Sequence, residues 1–196
     1  MLLHLLIDYA IQMNKKYSKI GTCGLSCRLC PASHTEAVSW CGGCRSESRT
    51  AVGCRFITCA VKHNDVDFCW DCRESKTCEK WKKLRESSRE HDSFKCYQTL
   101  EDDLNFIEKY GIEKFDEQQS SREQLLMEML KEFNEGRSKS YYCIVATVMK
   151  IEELHKALNQ ARKDSKGLDI KAKSKLLHLI LDAIARENGY YLKLRK

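Results

Sequence analysis

The pattern of apolar and polar positions divides the chain into two parts. From Leu84 onward, apolar residues recur three or four positions apart, which predicts amphipathic helices. Two glycines, Gly111 and Gly136, are suited to end the first two helices. The closing stretch GYYLKLRK alternates apolar and charged residues and predicts a short strand. Four helices are expected, over about 97–110, 121–133, 141–161 and 170–186.

The part before Leu84 has a different texture. Residues 21–82 hold ten cysteines and three tryptophans but few aliphatic residues, so side chains alone cannot build an ordinary core there. The predicted fold is therefore a small metal-stabilised cysteine-rich module followed by an all-α helical region of about four helices. The predicted divisions are an N-terminal helical extension (1–18), the cysteine-rich metal-binding module (19–84) and the helical region (85–196).

The first residues bear on the compartment. The opening MLLHLLIDYAIQM is apolar but carries Asp8, lacks a basic start and a small-residue cleavage site, and is too short to span a bilayer. Met13 is a second candidate start. We expect a cytoplasmic protein without a membrane partner, and in that compartment paired cysteines bind metal more often than they form disulfides.

Charge is uneven along the chain. The total is +6, but residues 83–135 carry a net −6 and residues 136–196 a net +8. A basic surface for nucleic acid is one interpretation, whereas solvated faces that partly cancel are the favoured one. Two metal ions, each held by four thiolates, would also lower the net charge. Nucleic acid is therefore an alternative partner and not the leading one; a protein partner is open.

Cysteine spacing gives the strongest chemical signal. Two C-x2-C pairs ten residues apart can complete a tetrahedral zinc site, which predicts Cys27, Cys30, Cys41 and Cys44 as one set of ligands. A second site would draw on five later cysteines, with the C-x2-C pair at its centre: Cys54, Cys59, Cys69, Cys72 and Cys78. Two zinc ions are thus expected. Ten thiols exceed the eight required, so Cys23 and one other are spare, or one site is not zinc.

That surplus leaves iron as an alternative. Cys23, Cys27 and Cys30 have the C-x3-C-x2-C spacing that radical S-adenosylmethionine enzymes use for a cubane cluster. Leu29 stands where those enzymes usually place an aromatic residue, and the strand–helix repeats of their barrel are absent. A radical enzyme is therefore disfavoured, while a simpler iron–sulfur cluster stays open.

The cysteine motifs also carry a resemblance. YSKIGTCGLSCRLCPA, then WCGGC, then CRFITCAVKHNDVDFCWDCRESKTCEKWKKL resembles a family of cysteine-rich prokaryotic proteins catalogued only as a domain of unknown function. The resemblance covers about residues 19–84, and continues less closely to the closing LKLRK. It implies metal binding, usually supposed to be zinc, and it implies no reaction.

Other polar residues have simpler explanations. The loop GRSKS precedes a predicted helix, where free backbone amides bind anions, so it is a candidate anion site: Arg137, Ser138, Lys139 and Ser140. The alternative is an ordinary helix-to-helix turn with Gly136 and Ser140 as caps. Two histidines lie inside the metal region and are expected beside the ligands or at the surface: His34 and His63. Cys96 and Cys143 are expected to be small buried apolar residues.

These features favour one functional hypothesis over two others. The leading hypothesis is a metal-binding protein, with zinc in a structural role and a helical part that offers an interaction surface. The first alternative is an iron–sulfur enzyme or electron carrier, and the second is a zinc-finger nucleic-acid binder that uses the basic last sixty residues. No catalytic group of residues can be recognised, so an enzyme is not the favoured class.

Overall fold

The computed structural model describes residues 15–36, 38, 40–44, 46, 53–62, 66–92 and 97–196. The described residues are mostly helical and contain no strand, only an isolated bridge between Ile20 and Ser26. No helix among them is long and apolar enough to cross a membrane. The helices are α1 (Arg55–Lys62), α2 (Glu79–Ser88), α3 (Leu100–Tyr110), α4 (Ile112–Phe133), α5 (Lys139–Val148), α6 (Ile151–Asp164) and α7 (Ile170–Asn188).

Among the described residues, three 3-10 helices precede α2: Lys15–Tyr17 at the end of the predicted N-terminal extension, and Pro31–His34 and Cys69–Asp71 in the cysteine-rich part. Of the predicted N-terminal extension, residues 1–14 lie outside the described residues. The predicted boundary between 84 and 85 falls inside α2. The division of the chain into separate modules stays a prediction.

The region from residue 97 is all-α, as predicted, but it contains five helices instead of four. The predicted helix over 141–161 is wrong as a single element, because the chain breaks at Met149, whose backbone is extended (ψ 155°). Arg122 of α4 donates from Nη1 to the carbonyl oxygens of Ala146 (2.8 Å) and Met149 (2.6 Å). This guanidinium satisfies the carbonyls that α5 leaves open at its end.

Two other helix boundaries differ from the prediction. The helix α4 begins at Ile112, directly after Gly111, whereas the apolar pattern placed its start near Ser121. Gly111 has a φ of +86°, so the chain can turn between α3 and α4 without a longer loop. The strand predicted for the closing residues is also wrong, since residues 190–196 form no strand.

The largest core belongs to the last four helices. Most of its members are less than 3 % exposed, and they come from one face of each helix, which is the arrangement expected of amphipathic helices. Burial of this area is the main stabilising term for the helical region. The largest fully buried members are Leu125, Leu126, Met129, Phe133, Tyr142, Met149, Leu154, Leu158, Leu177 and Leu181.

The cysteine-rich part shares its own small cores with α3 and α4. One cluster joins Trp81 and Leu84 of α2 to Leu100 and Leu104 of α3. A second joins Tyr17, Ile20 and Phe68 to Ile107 of α3 and Phe115 of α4. Because α3 contributes to both clusters, it connects the cysteine-rich part to the helices behind it.

A half-buried arginine reinforces that connection. Arg28 lies between Cys27 and Leu29 and donates to both carboxylate oxygens of Asp116, at 2.9 and 3.0 Å from Nη2. Its Nη1 donates to Glu123 at 2.7 Å. Paired arginine–carboxylate contacts fix orientation as well as distance. The first cysteine loop is therefore held in place on α4.

Candidate metal centre

Four cysteines line one small cavity in the cysteine-rich part. Cys59 comes from α1, Cys69 and Cys72 from the 3-10 helix Cys69–Asp71 and the residue after it, and Cys78 directly precedes α2. The cavity has a volume of about 30 Å³. One water molecule needs about 10–15 Å³ of such space, so the cavity has room for a single small ion or molecule. All four cysteines belong to the second predicted set.

The local backbone explains why this C-x2-C pair faces one way. In a 3-10 helix, residues i and i+3 lie above one another, so Cys69 and Cys72 are presented on the same side. The amide of Cys72 donates to the carbonyl of Cys69 at 3.3 Å, and the amide of Cys69 donates to Thr22 at 2.8 Å. These bonds join the pair to the first cysteine loop.

The opposite wall is built by α1. Phe56, Cys59 and Ala60 line the cavity and recur at positions i, i+3 and i+4 of this helix. The helix was not predicted, although this spacing was visible in the sequence. The helix is only eight residues long, which is too short for its apolar spacing to stand out in the sequence.

The electrostatics of the cavity are those of crowded thiols. Burial raises the pKa of the Cys69 thiol well above its usual range, and the neighbouring Cys23, Cys78, Cys59 and Cys72 raise it further. The reason is that a thiolate there would lose water and lie beside other sulfurs that can carry negative charge. A cation among these thiols would have the opposite effect and favour the thiolate form.

The thiols are gathered but not closed around a point. Within the part of the chain that the structure describes, no three His, Cys, Asp or Glu side chains form a group that could hold a metal ion as they stand. The four cysteines line one cavity without forming such a group.

The first predicted set, Cys27, Cys30, Cys41 and Cys44, is spread around a neighbouring turn. Gly43 has a φ of +94°, and the position that a Cβ would take on it lies 3.7 Å from the Cys27 sulfur. The amide of Cys41 donates to Ala32 at 2.9 Å. The CGGC loop therefore lies next to Cys27, while the ligand set itself stays a prediction.

Cys30 lies near Cys143 of α5. Burial raises the pKa of Cys143 in α5 to about 12, and proximity to Cys30 adds to that shift. Both residues are buried, Cys30 at 4 % and Cys143 at 2 % exposure. Cys143 is thus a small buried core residue, as expected, while Cys96 lies outside the described residues.

Cys23 lies between the two sets. Its sulfur and that of Cys44 lie 3.7 and 3.1 Å from the position of a Cβ on Gly21. Cys23 also contributes to the raised pKa of Cys69, and its carbonyl accepts from Trp81 Nε1 at 3.2 Å. The cysteine spacing in the sequence suggested that Cys23 is a spare thiol, because spacing along the chain does not show which loops lie next to each other in the fold. Cys54 packs against the same apolar cluster as Cys23.

Of the two candidate histidines, only His34 lies among the described residues. His34 Nε2 lies 2.5 Å from the carbonyl of Arg28, which places the ring in the first loop as a structural contact. His63 lies outside the described residues.

The candidate anion loop is occupied by its own side chains. Ser138, which precedes α5 as its N-cap residue, is buried and donates to Glu135 at 2.7 Å; His178 Nε2 lies 2.8 Å from the same hydroxyl. Hydrogen bonds from Ser174 and Ser138 lower the pKa of Glu135 to about 2, so a carboxylate lies at this helix end. Arg137 and Ser140 are exposed and Lys139 is half-buried. Anion binding at this loop stays a prediction.

No protein-family model, curated protein or solved structure matches the chain. The resemblance to the cysteine-rich family therefore stays a prediction.

Proposed function

We propose that the protein binds zinc in a structural role through Cys59, Cys69, Cys72 and Cys78. The observation that supports this is the shared cavity, to which three separate stretches of chain each bring thiols. Four thiolates at about 2.3 Å are the commonest surroundings of structural zinc. When bound, the ion would supply a cross-link between α1, the 3-10 helix Cys69–Asp71 and the start of α2.

The chain's own residues prepare that cross-link. Thr22 and Cys69 hold the C-x2-C turn in place through a backbone hydrogen bond of 2.8 Å, and Phe56 and Ala60 exclude water from one wall. The small cores of this part contain few aliphatic side chains, so an ion that joins its segments adds stability that packing does not provide. A second zinc at Cys27, Cys30, Cys41 and Cys44, a cytoplasmic location and a protein partner on the helical part belong to the same proposal.

An iron–sulfur cluster is the second candidate. The observation that favours it is the position of Cys23, next to Cys44 and close enough to Cys69 to affect its pKa. A thiol between two sets is easier to explain if three or more neighbouring cysteines hold a cluster.

Metal analysis of anaerobically purified protein separates the candidates. We expect zinc without iron and no visible colour. Cys69→Ser should lose about one zinc per chain, because a closed site needs every ligand. Cys143→Ser is the matched control, since it removes another buried thiol that does not line this cavity, and it should keep the zinc bound there. Bound iron with a broad visible absorbance would favour the cluster, and equal zinc in both variants would overturn the proposed ligands.

A further inference from the structure

A large cleft lies beside the cavity, and none of the residues that line it is a cysteine. It opens between residues 67–76, α2 and α3, and its volume is about 840 Å³. Sites for small organic molecules usually have volumes of about 300–1,000 Å³ and combine apolar walls with a few polar groups. The cleft has both features.

An aromatic stack forms one wall. The indole of Trp70 lies parallel to the ring of Phe68, with the ring centroids 4.4 Å apart and the planes 5° from parallel. Tyr17, Leu104 and Ile107 extend this wall, and each of them is less than 9 % exposed. Such a surface favours a flat ring, which adds one more layer or edge contact to the stack.

Basic side chains line the facing wall. Lys82, Arg85 and Arg89 lie at positions i, i+3 and i+7 of α2, so they share one face of the helix. Arg85 is held in position by two 2.8 Å hydrogen bonds to Glu101 of α3. Lys82 forms no ion pair with any described residue. This face is suited to an anionic group such as phosphate.

Carboxylates lie beside the aromatic wall and between the helices. Asp71 directly follows Trp70 and also lines the cleft, where its oxygens can accept from the amino and ring N–H groups of a heterocycle. Glu86 and Glu108 project from the facing helices α2 and α3. Carboxylates of this kind often hold a magnesium ion that accompanies bound phosphates.

We propose that the cleft binds a free nucleoside phosphate. The base contacts Trp70 and donates hydrogen bonds to Asp71, and the phosphates lie against Lys82, Arg85 and Arg89. A simple phosphate would make no use of the aromatic wall, and an organic cation would make no use of Lys82, Arg85 and Arg89. A nucleotide uses all three groups. This site goes beyond the proposed zinc binding, although Cys69–Asp71 contributes to both.

Two neighbouring lysines of α2 provide a matched test. Lys82 lines the cleft and Lys83 does not, and both are exposed, so neither substitution should impair folding. Binding of ATP, GTP, CTP and UTP with magnesium is measured by calorimetry. We expect at least one to bind, Lys82→Glu to weaken that binding about tenfold or more, and Lys83→Glu to leave it within about twofold. Trp70→Leu should also weaken it, with zinc content and melting temperature showing that the variant folds.

Inorganic triphosphate and a short single-stranded oligonucleotide serve as comparison ligands. Inorganic triphosphate should bind more weakly than the best nucleotide, because it cannot contact Trp70 or Asp71. A short single-stranded oligonucleotide should not bind more tightly than that nucleotide. The proposal is overturned if no nucleotide binds, if triphosphate binds equally well, if only the oligonucleotide binds, or if Lys82→Glu and Lys83→Glu behave alike.

Discussion

Arg195 binds the fully buried carboxylate of Asp92 with paired hydrogen bonds, from Nε to Oδ2 at 3.0 Å and from Nη2 to Oδ1 at 2.9 Å. The same guanidinium donates to the carbonyls of Ser88 and Arg89 at 2.7 and 2.6 Å. Arg195 therefore satisfies the open carbonyls at the end of α2 and joins residues 190–196 to that helix.

Arg195→Ala should lower the free energy of unfolding by about 3 kcal/mol, because it leaves a buried carboxylate without its partner. Lys193 lies two positions earlier in the chain and has an exposed side chain of the same charge. Lys193→Ala should therefore change the free energy of unfolding by less than about 0.5 kcal/mol. Urea unfolding of both variants checks this, and equal stabilities would show that the Asp92–Arg195 pair contributes little.

Asp103 gives the protein a pH-dependent stability. Burial raises the pKa of this carboxyl to about 7, from an ordinary value near 4. The carboxyl holds its proton more tightly in the folded chain than in the unfolded chain. The contribution of Asp103 to the stability of the fold is therefore greatest below about pH 4, and it is lost as the pH rises through 7. Asp103→Asn removes the cost of the buried charge and should stabilise the protein at pH 8 by about 1–2 kcal/mol, and less at pH 5.

The neighbouring residue is the control for that experiment. Asp102 is exposed on the same turn of α3, and its charge is the smallest contribution to the raised pKa of Asp103, so Asp102→Asn should show a much smaller difference between pH 5 and pH 8. Denaturant unfolding at the two pH values measures both. A gain for Asp103→Asn that does not depend on pH would assign the effect to packing and not to the charge.

Gly43 tests how closely the CGGC loop must approach the first cysteine loop. Gly43→Ala places a methyl group 3.2 Å from the carbonyl oxygen of Ser18 and 3.7 Å from the Cys27 sulfur, in a backbone with φ of +94°. Gly53 has a similar φ of +83° but open space around it. Gly43→Ala should therefore cost about 1–2 kcal/mol more than Gly53→Ala, which carries the backbone strain alone. Thermal unfolding compares them, and equal losses would mean that the loop yields easily.

Metal removal should act on part of the structure. If zinc joins α1, Cys69–Asp71 and α2, its binding free energy of about 10–16 kcal/mol stabilises that region directly. The shared clusters extend the effect to α3 through Leu100, Leu104 and Ile107, while the core of α4–α7 does not depend on it. After chelation, hydrogen exchange should accelerate in residues 53–110 and stay slow in α6 and α7. Loss of protection throughout the chain would indicate one cooperative unit.

The sequence predicted the helices whose apolar spacing is regular and missed those whose position depends on tertiary contacts. The predicted start of α7 agrees with the structure at Ile170, and the predicted end at Arg186 lies two residues before the observed end at Asn188. The agreement is close because Leu177 and Leu181 repeat at helical spacing and Asp169 caps the helix. The break between α5 and α6 could not be predicted, since Arg122 comes from another helix.

The cysteines follow the same rule. Local spacing identified Cys69 and Cys72 as a pair, because a C-x2-C turn is formed by neighbouring residues. It could not choose Cys59 and Cys78 from among the remaining thiols, since their meeting depends on how α1 and α2 pack. The position of Cys23 between the two sets depends on the same packing.

The short 3-10 helix Cys69–Asp71 faces two neighbours at once, with Cys69 and Cys72 lining the cavity and Trp70 and Asp71 lining the cleft. One added residue would rotate every following side chain by a third of a turn. A cysteine would then face the cleft, and an indole or carboxylate would face the cavity. Side chains in this segment can therefore be replaced one at a time, each at its own local cost, whereas an insertion or deletion between Cys69 and Cys72 would damage both surfaces in a single step. Among the described loops, this is the one whose length we expect to tolerate no change.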